Sequence, residues 1–176
     1  MKRSLSALGI SMMFCSVVAL AQAPAAGTKT DPLLGTWKLN LEKTTPKPPA
    51  GVVSVRQYIL RPDGFIETIF SGVGAQGNPN FLESTWKYDG NDYPMYTQVS
   101  LPDFSTKSVK PPTSAYRAVD AYTTELIQKD GSGKPVFTGI RTRVVSKDGK
   151  TLTDTSKGTN AQGRAVDTVL VYDKVQ

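Results

Sequence analysis

From Asp31 onward the chain alternates short runs of apolar and β-branched residues with turn signals at close intervals. The turns read "RPDG" at 61–64, "YDGND" at 88–92, "KDGSGK" at 129–134, "SKDGK" at 146–150 and "NAQGR" at 160–164. Asp-Gly pairs supply the positive φ angles of tight hairpins. The runs between them are rich in Val, Ile, Thr, Tyr and Phe, which suit a pleated surface. This pattern predicts strands over 36–42, 52–61, 65–72, 81–88, 93–99, 114–120, 122–129, 135–146, 150–158 and 165–174. No window carries helical periodicity. Hairpins that follow one another directly make an antiparallel meander, and a long meander closes or folds over to hide its edges. The expected fold is all-β: a single closed antiparallel up-and-down β-barrel of about 8–10 strands.

Alternation within the strands assigns faces. Val53, Val55 and Ile59 share one side, with Ser54 and Arg56 opposite. Leu82, Ser84, Trp86 and Tyr88 share a side against Glu83, Thr85 and Lys87. Val136, Thr138, Ile140, Thr142 and Val144 oppose Arg141 and Arg143, which are expected outside. On the last strand Thr168, Leu170 and Tyr172 alternate with Val169 and Val171, so both faces are apolar. The inner face read this way mixes Ser, Thr and Gln57 with aromatics, a lining that suits either side chains alone or one small ligand. The inward-reading aromatics Phe70, Trp86, Tyr96, Tyr122 and Tyr172 are the candidate ligand contacts, with plain core packing as the alternative for each. Arg117 joins them as a group that could meet a ligand anion or Glu125. Two loops break the hairpin rhythm: the proline-rich "EKTTPKPPAG" at 42–51, and "LPDFSTKSVKPPTS" at 101–114, which carries Phe104 and is long enough for a lid or binding loop.

The opening residues change the chemistry available. Lys2 and Arg3, an apolar stretch to Leu20 and small residues around Ala19, Ala21 and Ala23 have the layout of a signal peptide. The expected organisation is a signal peptide over 1–21 cleaved after Ala21, a linker over 22–30 and a barrel domain over 31–176, in the periplasm or secreted. The apolar run is too short and too interrupted by Ser for a spanning helix, so no membrane span is expected. Cleavage removes Cys15, the only cysteine, and the chain has no histidine. Thiol nucleophiles, Ser-His and Cys-His pairs, His-ligated metals and thiolate zinc sites are therefore excluded from the mature chain, and no cofactor or metal is expected.

The formal net charge of +6 falls by two when Lys2 and Arg3 leave. The remaining basic residues are scattered, with "RTR" at 141–143 the densest spot, and nothing resembles a nucleic-acid surface. Asp120 and Asp148 read as turn residues rather than as partners of Glu125 and Asp154 in a glycosidase-like pair. "DGSGKP" at 130–135 lacks the context of a phosphate loop, and "YDGND" lacks the alternating spacing of a calcium loop. The expectation is that the protein is not an enzyme. The exception weighed is cyclase- or isomerase-like proton transfer inside the barrel by Tyr96, Tyr122 and Arg117.

The "GTWKL" stretch, Gly35 to Leu39, resembles the first strand of lipocalins and their calycin relatives, and "GRAVDTVLVYDKV" at 163–175 resembles the closing strand of the fatty-acid-binding branch. More closely, 31–175 resembles the small secreted bacterial proteins with a lipocalin-like domain. The resemblance implies that Gly35 and Trp37 are structural. Trp37 would pack across the barrel base and bond a nearby carbonyl, with Arg164 or Lys174 over it. Two departures stand out: Leu170 occupies the position of the carboxylate-holding Arg of the fatty-acid-binding branch, and the segment 42–51 is proline-rich where that branch has a helical lid. What the resemblance implies is a monomeric carrier of a small hydrophobic or neutral polar ligand. The alternative is a ligandless, envelope-associated interaction protein that uses loops 42–51 and 101–114, its protein partner unknown.

Overall fold

The computed structural model describes residues 31–97 and 110–175. The leader, the linker, Phe104 and most of the second long loop lie outside the described residues. Ten strands follow one another: β1 (Gly35–Leu39), β2 (Val53–Leu60), β3 (Ile66–Val73), β4 (Pro79–Trp86), β5 (Tyr93–Thr97), β6 (Thr113–Ala118), β7 (Thr123–Lys129), β8 (Phe137–Val145), β9 (Thr151–Asn160) and β10 (Ala165–Val175). Each pairs antiparallel with its neighbour in sequence, and β1 also pairs with β10, which closes the barrel. The fold is thus the all-β, closed, up-and-down barrel expected, and the described residues contain no helix.

β1 stops earlier than predicted because Asn40 turns the chain: its side-chain oxygen accepts the N–H groups of Glu42 and Lys43 at 3.0 and 3.1 Å. The chain then rejoins the edge of β10. The backbone of Thr45 exchanges hydrogen bonds with Val169 at 2.8 and 2.7 Å, and Thr44 Oγ1 accepts from the Val171 N–H at 3.1 Å. Val171 is buried against this strap while Tyr172 is buried in the core. That is why both faces of the last strand are apolar.

One end of the barrel is solid. Trp37, Tyr58, Ile66, Trp86, Leu152 and Tyr172 are almost fully buried there, and Leu33 packs among them. The indole N–H of Trp37 donates to the Leu33 carbonyl at 2.8 Å, so the short Asp31–Leu34 segment is tied beneath the barrel. Lys174, not Arg164, lies over the Trp37 ring with its ammonium 4.8 Å from the centroid. Gly35 has φ +120°, a backbone conformation that requires glycine, and a Cβ there would also push aside the end of the Lys174 side chain, 2.9 Å away. Trp86 stacks on Tyr116 at 3.9 Å, meets Tyr88 edge-on at 4.9 Å and donates its N–H to Thr68 Oγ1 at 2.8 Å. Tyr88 in turn donates to Asp31 at 2.9 Å.

Replacing Trp37 by Ala should therefore cost about 3–5 kcal/mol through the lost burial and the cavity left behind. Urea unfolding followed by tryptophan emission checks this, because both indoles start fully buried and shift red on exposure.

Candidate functional site

Above the base, the inward positions of β2 are Ser54, Arg56 and Tyr58, and those of β8 are Arg141, Arg143 and Val145. This inverts the faces assigned from the sequence. Val53, Ile59, Ile140 and Val144 lie on the outside, Ile140 being 64% exposed, and Gln57 is exposed as well. Arg143, expected outside, is 7% exposed. The physical reason is Asp154. It shares an inward face with Leu152 on β9, and the β8–β9 register sets Arg143 directly beside it. A buried carboxylate without a cation is far more costly than a few exposed aliphatic side chains.

Asp154 joins two walls. Its carboxylate accepts from Arg143 Nε at 3.3 Å and from Arg56 Nη1, which reaches across from β2. Burial by itself would raise the Asp154 pKa, but attraction to Arg143 and Arg56 outweighs it and holds the group down at about 2. Burial likewise opposes the charge on Arg56 and Arg143, and Asp154 more than offsets it, so both are held above the usual arginine range. Tyrosine rings complete the enclosure: Arg56 lies 4.5 Å from the Tyr172 centroid, and Arg143 lies 5.2 and 5.8 Å from those of Tyr58 and Tyr116.

Arg141 is different. It donates to Gln128 Oε1 and, from Nε at 3.2 Å, to Ser156 Oγ, both neutral. Burial lowers its pKa, and repulsion from Arg143 and Arg56 adds to this beyond what Asp154 restores.

These side chains wall a cavity of about 180 Å³ that is partly open to solvent. Phe70, Leu82, Met95 and Leu126 form its apolar side; Arg56, Arg141, Arg143, Asp154, Gln128 and Thr68 form its polar side, with Tyr58 and Tyr116 between. Farther along the same strands from the base, Gly139 and Gly158 face each other across β8 and β9. A Cβ on either would come within 3 Å of the opposite backbone.

Of the residues singled out in the sequence, Phe70 is on the cavity wall. Trp86 is buried in the base beneath the cavity, and Tyr172 is buried under the Arg56 guanidinium. Tyr96, Tyr122 and Arg117 are corrections, because none reaches the interior. Tyr96 alternates with the inward Met95 and is 46% exposed. Tyr122 sits in the turn before β7, its N–H held by Asp120 at 2.7 Å. Arg117 faces solvent and pairs with Glu125 at 2.5 Å. Asp148 is a turn residue as expected, accepting from Ser146 at 2.6 Å. The residues that sequence reasoning missed are Arg56, Arg141, Arg143 and Asp154. The signal available was Asp154 itself, the one charged side chain sharing a strand face with Leu152.

No protein-family model and no curated protein matches this chain. Among the described residues no group of three or more His, Cys, Asp or Glu side chains comes together.

Asp154→Asn removes the counter-charge and should cost about 3–5 kcal/mol. Because the folded pKa of about 2 lies below the unfolded value near ~3.9, this carboxylate stabilises the fold above about pH 4 and its contribution, roughly 2 kcal/mol, is lost as pH falls toward 2. The gap between the two proteins' melting curves should therefore narrow over that interval without closing; a gap unchanged from neutral pH to pH 2 would contradict the pairing.

Proposed function

We propose that this chain is a periplasmic or secreted binding protein that holds one small molecule inside the barrel and does not turn it over. The observation that carries this reading is the cavity, whose lining combines the apolar Phe70, Leu82, Met95 and Leu126 with fixed hydrogen-bonding groups. Such a lining orients a ligand as well as retaining it. At about 180 Å³ the space exceeds the ~150 Å³ that accepts benzene in an apolar protein cavity. It falls short of the roughly 300 Å³ at which drug-sized sites begin. A ligand about the size of one substituted ring fits, with anything longer extending through the open end. The leader-like first residues support export. Asn40, Thr44 and Thr45 are engaged along β10, and the alternative of an interaction protein rests on the exposed remainder of 42–51.

The test is native mass spectrometry of the protein purified from its own cells, with solvent extraction of whatever is bound, alongside Leu82→Trp. The wild type should carry a reproducible small mass. The indole should fill the cavity and abolish binding at a cost to stability of about 1–3 kcal/mol. An empty wild type that also takes up no apolar fluorescent probe would sink the carrier reading.

A further inference from the structure

Among the described residues, three guanidinium groups, Arg56, Arg141 and Arg143, line the cavity against a single carboxylate, Asp154. Asp154 is consumed by two of them, Arg56 and Arg143. Arg143 still keeps a buried terminal nitrogen without a hydrogen-bond partner, as does the Tyr58 hydroxyl beside it. Among the described residues Arg141 is hydrogen-bonded to neutral oxygens alone, and it lies on β8 on the side of Arg143 away from the base. Positive charge and donors therefore outnumber what the described residues supply in return, in a space too enclosed for bulk water to screen it fully. A neutral ligand would leave this excess unanswered.

We propose that the ligand carries an oxyanion head, a carboxylate or a phosphate-type group, placed against Arg141, with an apolar body against Phe70, Leu82 and Met95. This rests on the barrel being a binding protein and names the chemical class it takes. The planar guanidinium suits such a head because it offers parallel donors in a fixed fork. Arg141 can turn part of that fork to a ligand at the expense of Gln128, a neutral acceptor, without disturbing the Asp154 pairs. Leu170, which lies opposite Asp154 on β10, contributes no charge; the cationic wall comes from β2 and β8 instead.

Benzoate, phenyl phosphate and benzamide share a ring and differ in the head, so calorimetric titration of the three separates charge from shape. The anions should bind the wild type at least about tenfold more tightly than benzamide, the equivalent of one charge-assisted hydrogen bond. The stronger of the two anions identifies the head. Arg141→Met should erase that preference while benzamide binding and the circular dichroism spectrum persist. The wild-type comparison stands alone if that variant does not fold. Equal binding of all three would overturn the oxyanion head and leave the binding protein. A preference that survives Arg141→Met would overturn the assignment to this side chain. No binding of any at millimolar concentration would overturn both readings.

Discussion

The carboxylate of Asp154, held between Arg143 on the neighbouring strand and Arg56 on the far wall, is the constraint that orders the interior of this barrel. Charges taken out of water must be paired, and pairing fixes position more strictly than apolar contact does. One register of β8 on β9 sets Arg143 beside Asp154, and only closure of the sheet brings Arg56 within reach, since the two residues are 98 apart in sequence. Strand parity on β2, β8 and β9 follows from this. A one-residue slip on β2 or β8 would bury aliphatic side chains and expel a partner of the buried carboxylate, and one on β9 would expel Asp154 itself.

The barrel is graded from end to end. Its base is filled by Trp37, Trp86, Tyr58 and Ile66 and tied by the Asp31–Leu34 segment through Trp37 and Tyr88. Its middle is ionic. Farther from the base, Gly139 and Gly158 let the backbones of β8 and β9 approach closely. The packed base and the cavity thus lie at different levels of one fold: the base can hold the sheet closed whatever the cavity contains. Three arginines place their guanidinium groups around the cavity, in a chain without histidine.

Much of the fold was legible in the chain. Asp-Gly pairs mark the hairpins, and ten predicted runs became ten strands. The Trp37 indole found a carbonyl and a covering cation as its position suggested. The site was less legible, for a definite physical reason. Apolar alternation names an inward face only when the interior is apolar. Here Ile59, Ile140 and Val144 sit outside because Arg56, Arg141 and Arg143 are needed inside. The cause is a long-range ion pair that no local window contains. Tyr96 and Tyr122 were misplaced for the lesser reason that aromatics at turns and short edges of a sheet need not enter the core. The absence of an arginine at Leu170 pointed away from a charged interior, while the charge had been supplied from other strands.

Strand parity can be read directly by thiol accessibility, because a chain beginning at Gln22 contains no cysteine. Single cysteines would be placed at Val53 and Ser54 on β2 and at Val144 and Val145 on β8, and their rates with a water-soluble thiol reagent measured in the folded protein. Cysteines at Val53 and Val144 should react as exposed thiols, and those at Ser54 and Val145 should be protected until the protein unfolds. The reverse order would put the aliphatic faces inside and the arginines in solvent, and would contradict the charged interior on which the account of binding depends.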